Sequence, residues 1–196
     1  MKAFFKKAVF VLSLITVSPL ILIDRIERWL SKSEQAIVFM GHLLGLIPGL
    51  PGSCLRAAYY SATLDDASPT VHIGFGSIFC HRDAGIGRHS SVGMHCIFGC
   101  VRIGEEVMFA NRVSIPSGKR QHLDETGDIV HTTRRTTLHV GSRSWIGEGV
   151  IIMADVGENC VVGAGSVVTK ELPAGTTVAG NPAKALRSMA EDGERG

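Results

Sequence analysis

The chain is poor in the features that mark several common classes of protein. Aromatic residues make up only 6% of its 196 residues, and the formal net charge is +2 at pH 7. Domains that bind nucleic acid carry a concentrated basic patch, so this balance gives no reason to expect nucleic acid as a partner. The five cysteines, Cys54, Cys80, Cys96, Cys100 and Cys160, are odd in number and include no CxxC pair. Cys96 and Cys100 stand four apart, with no second pair to complete a zinc set. They read as small buried apolar residues of a reducing compartment. A chain of this length is expected to form one domain with one sizeable core. What is plentiful is glycine, at 23 residues, which suits tight, regular turns better than a helical bundle.

Apolar residues gather first at the N-terminus. Lys2, Lys6 and Lys7 precede the run Ala8 to Ile23, which is interrupted by Ser13, Thr16 and Ser18, kinked at Pro19 and closed by Asp24, Arg25, Glu27 and Arg28. The basic start and apolar stretch fit a signal peptide, but no small-x-small cleavage site follows Ile23. The run is also shorter than the ~20 residues a bilayer requires. Ser31-Lys32-Ser33-Glu34 reads as a capping box opening a second helix over Ala36 to Ile47, which Pro48-Gly49-Leu50-Pro51-Gly52 ends. Ser53 to Tyr60 is a short further helix. Two short apolar helices joined by the charged stretch Asp24 to Lys32 predict a monotopic anchor, dipping into one leaflet or lying in the interface. The alternative is that they pack on each other, or on a partner chain, in water.

The second pattern is a repeat. Aliphatic or aromatic residues followed by a small one occur at Ile73-Gly74, Ile86-Gly87, Val92-Gly93, Phe98-Gly99, Ile103-Gly104, Phe109-Ala110, Val140-Gly141, Ile146-Gly147, Val156-Gly157 and Val162-Gly163. Most neighbours lie six apart or a multiple of six, and Phe79, Ile115, Ile152 and Val168 fill gaps in the same register. Neither a 3.6-residue helical period nor a hairpin meander explains these positions. Each hexad is one short strand and one turn, with the large residue pointing into the core and the glycine permitting a turn conformation. Three hexads close a triangular coil, and stacked coils share one core. The repeat type implies a left-handed crossover, the exception to the usual right-handed rule.

The expected fold is therefore all-β: a left-handed parallel β-helix over about Val71 to Pro182, with N-terminal apolar helices and a short C-terminal helix. Residues 1–60 form a membrane-associating helical segment, 61–189 the β-helix domain and 190–196 a tail. Irregular steps mark events: seven from Phe79 to Ile86, five from Phe98 to Ile103 and four from Ile152 to Val156. A polar insertion occupies 117–137. The four-residue step should sharpen one corner. His89 and His95, one hexad apart, should stack in adjacent strand positions, which invites a metal-binding reading.

Three stretches carry a resemblance. Val140-Gly-Ser-Arg-Ser-Trp-Ile-Gly-Glu-Gly-Val150, Val161-Val-Gly-Ala-Gly-Ser-Val-Val-Thr-Lys170 and Val178-Ala-Gly-Asn-Pro-Ala-Lys184 resemble the hexapeptide-repeat acyltransferases, notably the sugar O-acetyltransferases of polysaccharide biosynthesis and the serine and xenobiotic acetyltransferases. The resemblance covers roughly residues 71–189. It implies acetyl-CoA as acyl donor, a saccharide acceptor, no metal and a homotrimer with active sites between neighbouring β-helices. A loop from one coil carries a histidine into that cleft.

Acyl transfer from a thioester to a hydroxyl needs a base for the hydroxyl proton and donors for the developing oxyanion. Histidine suits the first task because it titrates near neutrality. Of the eight histidines, His122 is the expected catalytic residue. The resemblance places the base just after a V-x-[IL] strand, here Val113-Ser-Ile115, although the spacing is about two residues longer than in the sugar and xenobiotic enzymes. His131 is the runner-up, and Asp124 or Glu125 is positioned to orient the ring. Asn111 and Trp145 are the expected acceptor-binding residues. The resemblance assigns Gly163, Ala164 and Ser166 to the pantetheine arm, and Lys170, Lys184 and Arg187 to the nucleotide phosphates.

The expected function is acetyl-CoA-dependent O-acetylation of a saccharide, a lipid-linked intermediate of cell-envelope or exopolysaccharide assembly. The expected site of action is the cytoplasmic face of the inner membrane, because acetyl-CoA is cytoplasmic and a single span with its lysines inside would export the rest of the chain. Two other readings stand beside it: a carbonic anhydrase-like metalloenzyme and a non-catalytic trimeric scaffold on a membrane.

Overall fold

The six-residue period becomes a three-sided β-solenoid in the computed structural model, which describes residues 2–31, 33–117, 128–129 and 135–186. The first coil comprises β1 (Asp66–Ala67), β2 (His72–Ile73) and β3 (Ile78–Phe79), and the second β4 (Gly85–Ile86), β5 (Ser91–Val92) and β6 (Ile97–Phe98). The third comprises β7 (Val101–Ile103), β8 (Met108–Phe109) and β9 (Ser114–Ile115), and the fourth β10 (Leu138–Val140), β11 (Trp145–Ile146) and β12 (Ile151–Ile152). The fifth holds β13 (Val161–Val162) and β14 (Val167–Val168), its first side reduced to a bridge at Val156. Finally β15 (Thr177–Ala179) pairs in parallel with β13, and β16 (Lys184–Ala185) returns antiparallel on β15.

Equivalent strands of successive coils form the three sides: β1-β4-β7-β10 the first, β2-β5-β8-β11-β13-β15 the second and β3-β6-β9-β12-β14 the third. The inward ladders are those the period predicts. Ile73, Val92, Phe109, Ile146, Val162 and Val178 line the second side, and Phe79, Phe98, Ile115, Ile152 and Val168 the third. All are buried. The four-residue step from Ile152 to Val156 recurs from Val168 to Leu172, so the edge between the third and first sides is shortened twice in succession.

The glycine after each inward residue has a different physical basis from the expected one. Gly74 does not adopt a left-handed φ; a Cβ there would lie 2.3 Å from the carbonyl oxygen of Gly93 on the next coil. Coils stack backbone to backbone at about 4.8 Å, and that spacing excludes the side chain. The left-handed residues come two positions later, at Gly76, His95, Arg112, Gly149 and Gly165 on one edge, and at His89, Glu106, Arg143 and Asn159 on another. His89 and His95 therefore do not stack. One hexad carries the chain to the next side, and only a full coil returns it to the same column.

Three helices precede the solenoid: α1 (Lys2–Leu30), α2 (Gln35–Gly45) and α3 (Gly49–Thr63). The class is thus mixed rather than strictly all-β. No helix follows the solenoid among the described residues; the chain to Leu186 is β16, and 187–196 lie outside them. Of the two short helices expected before residue 48, the second is α2, and the first is corrected. α1 is one helix of 29 residues that runs through Pro19 and the charged stretch. Proline at 19 removes the hydrogen bond to the carbonyl of Ile15, and the Ser18 hydroxyl donates to that carbonyl instead, at 2.7 Å. The helix continues past Asp24 because Asp24 and Glu27 meet Arg82, and Arg28 meets Asp65 at 3.0 Å.

The expected capping box does not form. Glu34 makes no side-chain cap. The first amides of α2, of Gln35 and Ala36, donate instead to the Glu27 carboxylate of α1 at 3.1 and 3.0 Å, a favourable place for a negative charge. Gly49 to Gly52 open α3 rather than forming a break of four residues or more.

α3 closes the first coil. The Tyr60 ring continues the aromatic stack Phe79, Phe98 and Phe109, with centroids 5.0, 5.0 and 5.2 Å apart, and its hydroxyl accepts from the Phe79 amide. Arg56, fully buried, donates to the carbonyls of Leu44, Ile47 and Ile73. It thereby caps the end of α2 and ties both helices to β2. A solenoid end left open would expose its core, so a terminal cap is required. The helices and the solenoid share one continuous hydrophobic core.

Candidate active site

The insertion leaves the third coil at Ser117 and returns through Arg135 to Thr137, so both limbs meet on the edge between the third and first sides. Their base is pinned there. The Ser117 hydroxyl accepts from the Cys100 amide at 2.9 Å, its carbonyl accepts from Thr136 at 2.9 Å, and the Cys100 carbonyl accepts from Leu138 at 3.0 Å. His122, His131, Asp124 and Glu125 lie outside the described residues, as does Arg187.

On the same edge, the seven-residue step from Phe79 to Ile86 accommodates His81, Arg82 and Asp83. The ring of His81 sits 2.8 Å from Glu34 through Nδ1, and Glu34 also accepts from the Arg82 amide at 3.0 Å and from Arg135 at 2.7 Å. Burial works to raise the Glu34 pKa. The Arg82 amide, the His81 ring and the charge of Arg135 outweigh it, and the carboxyl is held below its ordinary range. Beside it, the Arg82 guanidinium donates to Asp24 at 2.7 and 3.1 Å, to Glu27 and to the Ser33 carbonyl. Burial pushes the Cys100 thiol up, as does the nearby Asp83, so it is a thiol rather than a thiolate at neutral pH.

This cluster was not legible as a unit. His81 is one histidine among eight, and the spacing of Glu34 from Ser31 reads as a cap. The one local signal was the extra residue in the Phe79–Ile86 step.

The remaining expected residues fall on other parts of the prism. Trp145 projects outward from the second side, 42% exposed, between Met108 and Val161 of the adjoining coils. Asn111 lies on the edge between the second and third sides, where its Oδ1 accepts from the Met94 amide at 2.9 Å. Gly163 and Ala164 lie on that edge two coils away. Ser166, fully buried, uses its hydroxyl to donate to the Gly163 carbonyl and to accept from Gly180. Lys170 is exposed on the edge from which the insertion departs, and Lys184 is exposed on β16. Asn111, Gly163, Ala164 and Ser166 so lie on one edge of the solenoid and Lys170 on another, while Trp145 and Lys184 lie on strands of the second side. Among the described residues no three histidine, cysteine or acidic side chains are grouped to hold a metal ion.

A parallel solenoid of three-hexad coils with a polar insertion after the third coil defines a hexapeptide-repeat protein. No family model matches the chain. Galactoside O-acetyltransferase of Escherichia coli K12 is 35% identical over 98 residues, covering 45% of this chain and 44% of that one. The chain spans less than half the length of the curated relatives it matches. A maltose O-acetyltransferase from Clostridium difficile 630 superposes with a TM-score of 0.67 at 23% identity, over 80% of this chain and 86% of that one. A hexapeptide-repeat acetyltransferase from Vibrio cholerae superposes with a TM-score of 0.61 at 24% identity, over 81% and 94%. That Vibrio protein is also solved in complex with acetyl coenzyme A. The two solved structures share the solenoid fold with this chain, and its repeat region is similar in sequence to the galactoside enzyme.

Proposed function

We propose that the protein transfers an acetyl group from acetyl-CoA to a saccharide hydroxyl, with His122 as general base. The observation that carries this reading is the 98-residue match to a galactoside O-acetyltransferase on a solenoid whose polar insertion, 117–137, holds His122. The base takes the proton of the acceptor hydroxyl as its oxygen attacks the thioester carbonyl. Backbone amides stabilise the oxyanion. Collapse forms the ester and breaks the C–S bond, and the departing CoA sulfur receives the proton.

The separation of Asn111, Trp145 and Gly163 to Ser166 from Lys170 supports a homotrimer of left-handed β-helices with active sites between neighbouring protomers. Lys170, Lys184 and Arg187 would then meet the phosphates of CoA. The apolar outer surface of α1 and α2 supports action at the cytoplasmic face of the inner membrane on a lipid-linked saccharide. The test is release of CoA thiol with candidate acceptors, followed by mass spectrometry of the product. His122→Ala should lower kcat by about 10²- to 10⁴-fold while leaving acetyl-CoA affinity unchanged. Full activity in that variant overturns the assignment of the base.

A further inference from the structure

We propose that α1 lies along one leaflet of an anionic bilayer, docked by its outward face, rather than crossing the membrane. The inference deepens the membrane reading above and stands apart from the acetyl-transfer reading. By length and composition alone, Phe5–Leu30 is long and apolar enough to span. Its packing points the other way.

Ser13, Val17, Ile21 and Asp24 form one buried stripe, and the helix packs along α3. Asp24 and Glu27 are fastened to Arg82, and Arg28 to Asp65. Only the helical residues before Ser13 are free of this stripe. Eleven residues at 1.5 Å each reach about 16 Å, roughly half of a ~30 Å hydrocarbon core. A span would require α1 to leave the solenoid and abandon two carboxylates and Arg82 together.

The opposite face is built for an interface. Leu12, Ile15 and Leu22 are mostly exposed, and Trp29 is 83% exposed near the end, where an indole suits the headgroup level. Both acids of α1 turn inward on Arg82, so its outer surface carries apolar side chains, cations and the hydroxyls of Thr16 and Ser18, which donate to the helix's own Leu12 and Ile15 carbonyls. Lys7 and Arg25 are eighteen residues apart, about five helical turns, and stand on the same edge of the apolar face. Both are exposed, as is Lys6. This combination fits an in-plane helix on anionic lipid.

The test uses full-length protein with an N-terminal epitope tag, diluted from detergent onto sealed vesicles of phosphatidylcholine, with or without one-quarter phosphatidylglycerol. Flotation should show binding that needs phosphatidylglycerol and weakens with salt. Protease added outside should remove the tag as readily as it digests the solenoid. Trp29 emission, taken as the difference from Trp29→Phe, should be quenched more by shallow than by deep nitroxide lipids. Replacing Lys6, Lys7 and Arg25 by Gln should weaken binding roughly tenfold to hundredfold without changing Tm, since all three are exposed. A protected tag would establish a span and overturn the proposal. Self-association without vesicle binding would overturn it in favour of a second copy on this face. Neither result depends on acetyl transfer, which is read separately by CoA release.

Discussion

Arg82 should act as the fastening between α1 and the solenoid. Its side chain is 8% exposed and Asp24 is 2% exposed, at 2.7 Å; Glu27 and the Ser33 carbonyl complete its acceptors. Arg82→Leu keeps much of the apolar volume but leaves two carboxylates without their cation in a dry site. Removing one partner of a buried ion pair costs about 3–5 kcal/mol. For a chain of this size each kcal/mol moves Tm by about 2–4 °C, so Tm should fall by roughly 6–20 °C. Circular dichroism melting in mild detergent measures it. Adding Asp24→Asn should recover part of the loss, because the stranded charge accounts for much of the cost. Arg82→Lys should fall between, since one ammonium cannot reproduce the planar fork. A loss below about 1 kcal/mol for Arg82→Leu, or no recovery in the double variant, would refute the argument that this pair holds α1 in place.

Gly74→Ala should cost about 1–3 kcal/mol in urea unfolding, because its Cβ meets the Gly93 carbonyl. Gly149→Ala, at φ +69° with open space around it, should cost about 1–2 kcal/mol through backbone strain alone and leave the coil spacing intact. Phe98→Ala, in the middle of the aromatic stack, should cost about 3–5 kcal/mol, and a loss below 1 kcal/mol would deny that the stack fills the core. Stability should fall on acidification in two steps. Burial and the charge of Arg56 lower the pKa of His72, which lies 2.9 Å from Ser53, so the unfolded chain protonates first and stability declines as pH drops through the ordinary 6.5. The depressed Glu34 carboxyl adds a second loss as pH falls below its ordinary 4.5. His72→Gln should remove the upper step, and melting curves from pH 7.5 to 3 read both.

The solenoid could be read residue by residue because its constraint is local and repeated. One inward side chain every six residues, from Ile73 to Val168, sets strand, turn and side. The irregular steps then locate the Phe79–Ile86 corner and the insertion before any coordinate is known. The small residue after each aliphatic was equally visible, but its reason was not. Gly74 is small because of Gly93, on another coil, and no local pattern reports the distance between coils.

The N-terminal helices and the charged edge were decided by tertiary structure. Asp24, Arg25, Glu27 and Arg28 look like the end of an apolar helix. They continue it because Arg82, 58 residues after Asp24, receives two of them. Glu34 has the spacing of a capping residue, yet it holds His81, 47 residues away, and Arg135, 101 residues away. Such pairs leave no period in the sequence. A charged side chain chooses its partner by which groups the fold has already removed from water, so its role is fixed only once the coils have stacked and the helices have closed their end.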